Sequence, residues 1–220
     1  MYIIMLGAQG TGKGTIAGIL SKELGIPAIS TGDIFRKNIA EKTDLGIEIE
    51  KSMAEGNLVS DEITIKLVED RLENEDCKNG AILDGFPRTI EQAKGLDKIL
   101  EKKSSEVNLV INLVTPKEEL IERMTTRIVC TNPDCKAIYN LKLHPPKNEG
   151  ICDKCGSQLK QREDDLDIQA IENRLNIYET KTKPLVDFYQ EKGVLTTEEV
   201  SQRINRMGNE VVEDILKNIK

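Results

Sequence analysis

The chain predicts an α/β fold, with a parallel sheet of five strands flanked by helices. Three observations carry that expectation. Short apolar runs alternate with segments of helical period along most of the 220 residues. The run VNLVINLV (Val107–Val114) is almost continuously apolar, as a strand covered on both faces must be. The stretch GAQGTGKGT (Gly7–Thr15) stands between the first apolar run and the first amphipathic segment, where a strand–turn–helix unit holds phosphate.

Tyr2–Leu6 reads as a buried strand ending at Gly7. From Lys13 to Leu24 the residues Ile16, Ala17, Ile19, Leu20 and Leu24 follow helical spacing, and Gly25 and Pro27 break the helix. Pro27–Ser30 is a short second strand. Ile34, Phe35 and Ile39 mark one helix, and Ile47, Ile49 and Met53 another, so residues 30–59 read as a helical insertion without a strand. Asp61–Leu72 is a further amphipathic helix. The third strand starts AILDGFPRT (Ala81–Thr89), and Thr89 with Gln92 makes a capping box for the next helix. After Val107–Val114, the residues Thr115, Pro116 and Glu118 suit N-cap, N1 and N3 of a helix. Residues 126–165 change character, with paired cysteines, HPP and several glycines. GVL near Val194 is the last strand. The expected division is a core of 1–29, 60–125 and 166–220, an arm of 30–59 and a lid of 126–165.

Apolar residues make up 38% and charged residues 31%, while aromatics are 3% with no Trp, so Ile, Leu and Val must build the core. A net charge of −7 gives no general affinity for nucleic acid or anionic membrane. No signal-peptide pattern or membrane-length apolar run is present, and the expected location is cytoplasmic.

The glycines of the Gly7–Thr15 loop let several N–H groups point inward at the positive end of the following helix, and Lys13 reaches terminal phosphates. The common phosphate loop places Ser or Thr directly after the lysine to meet Mg²⁺. Here Gly14 intervenes and the hydroxyl comes one residue later, at Thr15. That points away from GTPases and motor-like ATPases. The chain has 22 lysines but only nine arginines, and Arg36, Arg88, Arg123, Arg127, Arg162 and Arg174 lie near turns or insertions. Singly each reads as a solvated surface residue; together they suit phosphoryl transfer, which works by positioning and charge stabilisation.

GAQGTGKGT, STGDIFR, GNLVSDE, LDGFPRT with Gln92, and QREDD, in that order, resemble the adenylate kinases, with HPPK an altered form of the family's NPPK. The resemblance covers nearly the whole chain and implies a P-loop NTPase fold with an AMP-binding arm and an ATP lid. It implies that Gly10, Thr11, Gly12, Lys13, Gly14 and Thr15 cradle the ATP phosphates. Thr31, Arg36, Asn57, Leu58, Val59, Gly85, Phe86, Pro87, Arg88 and Gln92 would bind AMP, with Arg36 and Arg88 on its phosphate and Gln92 on adenine. Arg123, Ile138, Tyr139 and Arg203 would meet the ATP adenine region. Arg127, Arg162 and Arg174 would close over the transferred group, the latter two also touching AMP. Asp33 and Asp84 would hold the water shell of Mg²⁺; their plainer readings are a helix cap and a strand-end carboxylate. Lys13, Arg36, Arg88, Arg127, Arg162 and Arg174 are the expected catalytic set. The implied substrates are ATP, AMP and ADP, and the implied state is a monomer. A UMP- or CMP-type kinase is the nearest alternative, and a zinc-ribbon module switched by nucleotide is the alternative outside enzymes.

This chain departs from the family in carrying Gln9 for proline, and in one extra residue between Arg162 and Arg174, which predicts a bulge at the lid hinge. CTNPDC and CDKC place Cys130, Cys135, Cys152 and Cys155 as two knuckles. That spacing predicts a closed, structural Zn²⁺ site, and the resemblance agrees. A disulfide or redox pair is the alternative, as are His144 or Asp153 as substitute ligands. Cys77 reads as a helix-end residue.

Overall fold

A computed structural model of the protein describes residues 1–201 and 208–219. In chain order the elements are β1 (Tyr2–Gly7), α1 (Lys13–Leu24), β2 (Ala28–Ser30), α2 (Thr31–Ala40), α3 (Asp44–Ala54), α4 (Asp61–Leu72), β3 (Ala81–Asp84), α5 (Ile90–Lys102), β4 (Val107–Val114) and α6 (Lys117–Thr125). There follow β5 (Arg127–Cys130), β6 (Ile138–Asn140), β7 (Leu159–Lys160), α7 (Ile168–Ile177), α8 (Pro184–Glu191), β8 (Leu195–Glu199) and α9 (Gly208–Ile219).

The main sheet has the order β2-β3-β1-β4-β8 and is parallel throughout. β1 lies at its centre because every residue in it is apolar or glycine, which suits a strand with helices on both faces. Successive side chains alternate between those faces. Tyr2, Ile4 and Leu6 pack with residues of α4, α5 and α8, including Val68, Leu96 and Tyr189. Ile3 and Met5 pack with Ile16, Leu20, Val211 and Ile215 of α1 and α9. From β1 the chain crosses to β2 and β3 on one side, then to β4 on the other. That reversal opens a crevice above the carboxyl end of β1, where such sheets bind ligands.

Residues 31–59 form α2 and α3 with their own small core of Phe35, Ile49 and Val59. Ser30 caps α2 by accepting from the Asp33 N–H, and Thr43 caps α3 through the Gly46 N–H. Thr31 and Gly32 are thus the first turn of a helix and not a separate loop, and Asp33 is not the cap. Within residues 126–165, β6-β5-β7 form a separate antiparallel sheet.

One local expectation changes. Thr115 does not cap α6, which begins at Lys117 with no side-chain cap. Its buried hydroxyl donates instead to the Val200 carbonyl at 2.6 Å, tying the end of β4 to the end of β8. A buried hydroxyl takes the nearest carbonyl, and here that comes from across the sheet. Between Arg162 and Arg174, where a hinge bulge is expected, Glu163–Asp165 form a 3₁₀ turn ahead of α7, and a π-helical turn at Tyr178–Thr182 follows the helix.

Candidate active site

The phosphate loop follows β1 directly. Gly10 and Gly12 take φ of 90° and 94°, a region closed to most side chains, and Gly12 is the N-cap of α1. The loop closes on itself through the Thr11 hydroxyl, which donates to the Ala8 carbonyl at 2.9 Å. Lys13 Nζ donates to the carbonyls of Gly7 and Ala8, both at 2.8 Å. Its ammonium is thereby held over the loop, with one N–H left for a ligand.

Gly14 has a reason of its own. A Cβ there would stand 3.3 Å from Asp84 Oδ2, so the glycine lets the carboxylate at the end of β3 approach the first turn of α1. A side chain directly after Lys13 would stand close against Asp84, and the carboxylate would have to give by a few tenths of an ångström.

Across the crevice, β3 runs into the turn Gly85–Thr89, which contains a cis peptide at Phe86–Pro87. Arg88 donates its Nε–H to the Gly85 carbonyl at 2.9 Å. Its backbone N–H donates to Gln92 Oε1 at 2.7 Å, and Gln92 Nε2 donates to Asp61 Oδ1 at 2.8 Å. Asp61 also accepts from the Thr89 hydroxyl, which itself accepts from the Gln92 N–H. The capping box is therefore shifted by one residue, since the Gln92 oxygen serves Arg88 and not Thr89. The carboxamide is fixed from both ends and keeps one N–H for a ligand. Asp61, which does this fixing, was not singled out in the sequence; it lies 31 residues from Gln92.

A cleft of about 410 Å³ separates these walls, lined by Lys13, Arg36, Arg88, Arg127, Arg162 and Arg174. Asp165, buried to 2% exposure, accepts both Nε–H and Nη2–H of Arg127 at 2.8 and 2.9 Å. Arg174 reaches Asp164 at 2.8 Å and Asp165 at 3.0 Å. Both carboxylates lie in the QREDD segment but had no assigned role; forks that must hold a fixed plane need such partners. Arg36 pairs with Asp33 at 2.6 Å. Among the described residues, no carboxylate pairs with Lys13, Arg88 or Arg162. Burial, and then the charges of Arg127 and Arg36, push Arg162 down to about 10. Burial with Arg174 and Arg36 lowers Arg88 likewise. Burial pushes Lys13 down to about 8, against the pull of Asp84. Cations crowded into one cleft at such a penalty define a site for a polyanion.

A binding prediction follows from the sign of the Lys13 shift. An anion beside the ammonium favours the charged form and raises the depressed pKa. Nucleotide binding is therefore full below about pH 8 and weakens as pH rises through that value. Calorimetry in buffers of differing ionisation enthalpy should show most of one proton taken up at about pH 9 and almost none at about pH 6. Equal proton uptake at both would refute it.

Other expected residues are placed as follows. Gly10, Gly12, Gly14 and Thr15 line the cleft, as do Asn57, Leu58, Val59, Gly85, Gln92, Ile138 and Tyr139, and both Asp33 and Asp84. The side chains of Thr11, Thr31, Phe86 and Pro87 lie behind its wall. Thr31 donates to the Gly85 carbonyl at 3.0 Å, and Phe86 belongs to the core beside β1. They shape the turn. Arg123 lines the cleft but is buried as a strut, donating to Glu119, to the Val200 carbonyl and, at 3.4 Å, to the Gly10 carbonyl. Arg203 lies outside the described residues. Asn57 Oδ1 accepts from Asn173 on α7, which also donates to the Glu55 carbonyl.

The four sulfurs of Cys130, Cys135, Cys152 and Cys155 all lie within 4.8 Å of one another. Cys130–Cys155 is 3.4 Å and Cys135–Cys152 is 3.7 Å, and none is a disulfide. Four thiolates at about 2.3 Å from one tetrahedral metal stand roughly 3.8 Å apart, so the donor set fits. His144 and Asp153 are not among the four: His144 pairs its backbone with Asn140, and the Asp153 carboxylate accepts from the Lys147 N–H. Cys77 sits buried in a 3₁₀ turn and accepts from Arg71 at 2.9 Å.

A phosphate loop at the carboxyl end of a central parallel strand, faced across a cleft by several arginines, defines a P-loop nucleotide-binding protein. The class narrows on comparison with known proteins. The family model described as adenylate kinase matches residues 5–194. An adenylate kinase of Clostridium perfringens (strain SM101 / Type A) is 49% identical over 217 residues, covering 99% of this chain and 97% of that one. One from Caldanaerobacter subterraneus subsp. tengcongensis is 47% identical over 220 residues, 100% of this chain and 95% of its own. One from Caldicellulosiruptor bescii is 47% identical over 213 residues, 97% and 98%. The chain belongs to the adenylate kinase family.

Proposed function

We propose that the protein transfers the γ-phosphoryl group of MgATP reversibly to AMP, giving two ADP, and so balances the adenine nucleotides. The observation that carries this reading is the set of cations around one cleft, with Lys13 and the loop on one wall and Arg88 with Gln92 on the other. ATP phosphates lie on the N–H groups of Gly10–Thr15. The AMP phosphate lies between Arg36 and Arg88, and its adenine meets the free N–H of Gln92. Arg127, Arg162 and Arg174 surround the group in transit, so that charge developing on its oxygens meets fixed donors. No side-chain base is required, because the attacking oxygen is already a phosphate anion. The Mg²⁺ of MgATP would supply charge neutralisation at the phosphates, and Asp33 and Asp84 would hold its water shell. Ile138, Tyr139 and Arg123 border the ATP adenine.

Residues 30–59 act as the AMP arm and 126–165 as the lid, on a core of 1–29, 60–125 and 166–220. Closing both excludes water and prevents hydrolysis of ATP. The four cysteines hold a structural Zn²⁺ that folds the lid. The protein works as a cytoplasmic monomer, as the family resemblance implies. Among the described residues no helix is long and apolar enough to cross a membrane.

Arg88→Ala tests the arrangement of the walls. AMP KM should rise and kcat fall together by about 10²-fold, with ATP affinity changed less than about threefold. A defect confined to ATP would mean the walls are reversed. Turnover with UMP or CMP equal to that with AMP would overturn the choice of acceptor. ATP binding without ADP formation from ATP plus AMP would favour a nucleotide switch.

A further inference from the structure

Arg123 lines the cleft, yet its guanidinium is engaged away from the open space. Nη1 donates to the Gly10 carbonyl at 3.4 Å. Nη2 donates to the Val200 carbonyl at 3.3 Å and to Glu119 Oε2 at 3.1 Å. The other carboxylate oxygen of Glu119 accepts from the Ser201 hydroxyl at 2.7 Å. Glu119, Arg123 and Ser201 are all buried. Glu119 and Arg123 together join three parts of the chain: the phosphate loop at Gly10, helix α6 and the end of β8.

Stability alone does not account for a charge pair in this place, because a buried ion pair roughly breaks even against apolar residues of similar volume. Its use lies in direction: a planar guanidinium held by a carboxylate keeps its plane. That plane matters because the phosphate loop rests on α6. Ala8 packs in one cluster with Leu120 and Met124. A Cβ at Gly10 would stand 3.1 Å from the Leu120 carbonyl and 3.4 Å from the Met124 side chain. Arg123 holds the Gly10 carbonyl, and a peptide unit is planar, so the N–H of Thr11 is fixed with it. That N–H donates to the Ala8 carbonyl at 3.4 Å, and the same carbonyl anchors Lys13 Nζ.

We propose that Glu119 is a positioning residue for the phosphate loop: through Arg123 it fixes the Gly10 peptide, and with it the N–H groups that receive the phosphates of ATP. The placing of ATP on this loop is the two-nucleotide reading above, on which the proposal rests. AMP, held across the cleft by Arg88 and Gln92, should not sense Glu119.

Glu119→Gln keeps the shape and the hydrogen-bonding capacity and removes the charge. Its carboxamide oxygen can face Arg123, while its NH2 donates to the Ser201 hydroxyl, which turns to accept. Calorimetry of ATP and of AMP binding, with steady-state rates, compares it with wild type. ATP affinity should fall about three- to tenfold, as a charge-assisted bond becomes a neutral one, and ATP KM should rise with it. AMP affinity should stay within about twofold, and kcat within about threefold, because the loop binds phosphates before and during transfer alike. Glu119 acts through Arg123, so the two changes should not add: Glu119→Gln placed in Arg123→Met should cost less than about twofold more in ATP affinity. Unchanged ATP affinity in Glu119→Gln overturns the proposal. So does an equal loss for ATP and AMP, which general loosening would produce, and so does full additivity. If Arg123→Met does not fold, the split between ATP and AMP in Glu119→Gln decides. Wild type that makes no ADP from ATP and AMP would refute the functional reading, and the ATP affinity of Glu119→Gln would still decide the role of Glu119.

Discussion

Lys13→Ala should reduce turnover by about 10³-fold, the range found when one preorganised donor or cationic finger is removed from a phosphoryl-transfer site. The size of the effect follows from geometry. The ammonium is anchored at 2.8 Å to two carbonyls of the loop, so its charge stands in place before any ligand arrives. Burial lowers its pKa to about 8, so the charged ammonium is held with little water to shield it. Charge that moves onto the leaving phosphate oxygen as the γ-phosphoryl group departs meets that ammonium most strongly in the transition state. kcat should therefore fall more than ATP affinity does. Lys13→Arg should not rescue, because a planar fork cannot sit between the carbonyls of Gly7 and Ala8 as a compact ammonium does. Steady-state rates with calorimetric ATP binding check this; a variant with full kcat and weak ATP binding would show that Lys13 serves the ground state only.

Metal removal should have the largest effect on stability. The lid sheet has strands of four, three and two residues. Its interior consists of Cys130, Ala137 and Cys152, with Cys135, Tyr139 and Leu159 partly covered. So little apolar surface cannot offset the entropy of ordering the segment, and a metal held by the four thiolates would supply the remainder as folding free energy. About one Zn²⁺ per chain is expected in protein purified without chelator. Chelation should lower the melting temperature by roughly 10 °C, as should Cys135→Ser, which removes one thiolate; at about 2–4 °C per kcal/mol, this corresponds to a few kcal/mol. Metal analysis that finds none would refute the site. The loss should fall on the lid first, so circular dichroism should retain most of its helical signal.

Much of the scaffold was legible because it depends on local pattern. The limits of α1, α4 and β4 follow from runs of apolar residues and from Gly, Pro and capping residues at their ends. The cysteine cluster was legible because ligand spacing is itself a local pattern. Asp61, Asp164 and Asp165 were not. Each acts by meeting a side chain brought from elsewhere: Gln92, Arg127 or Arg174. No periodicity records such a meeting. Thr115 went astray for the same reason, since its sequence suits a helix cap while its hydroxyl finds Val200, 85 positions along the chain. Phe86 and Pro87 sit in a motif whose surface is made by their neighbours, and the motif does not say which of its members face inward.

The contact between Gly14 and Asp84 has a consequence for engineering. Two segments some seventy residues apart are fitted so closely that a Cβ added at Gly14 would stand 3.3 Å from the Asp84 carboxylate. A loop transplanted alone into a scaffold with a different strand end would lose its partner carboxylate. Gly14→Ser, which writes the commoner loop sequence into this chain, would press a side chain against that carboxylate. The two segments therefore behave as a single cassette, exchangeable only as a pair.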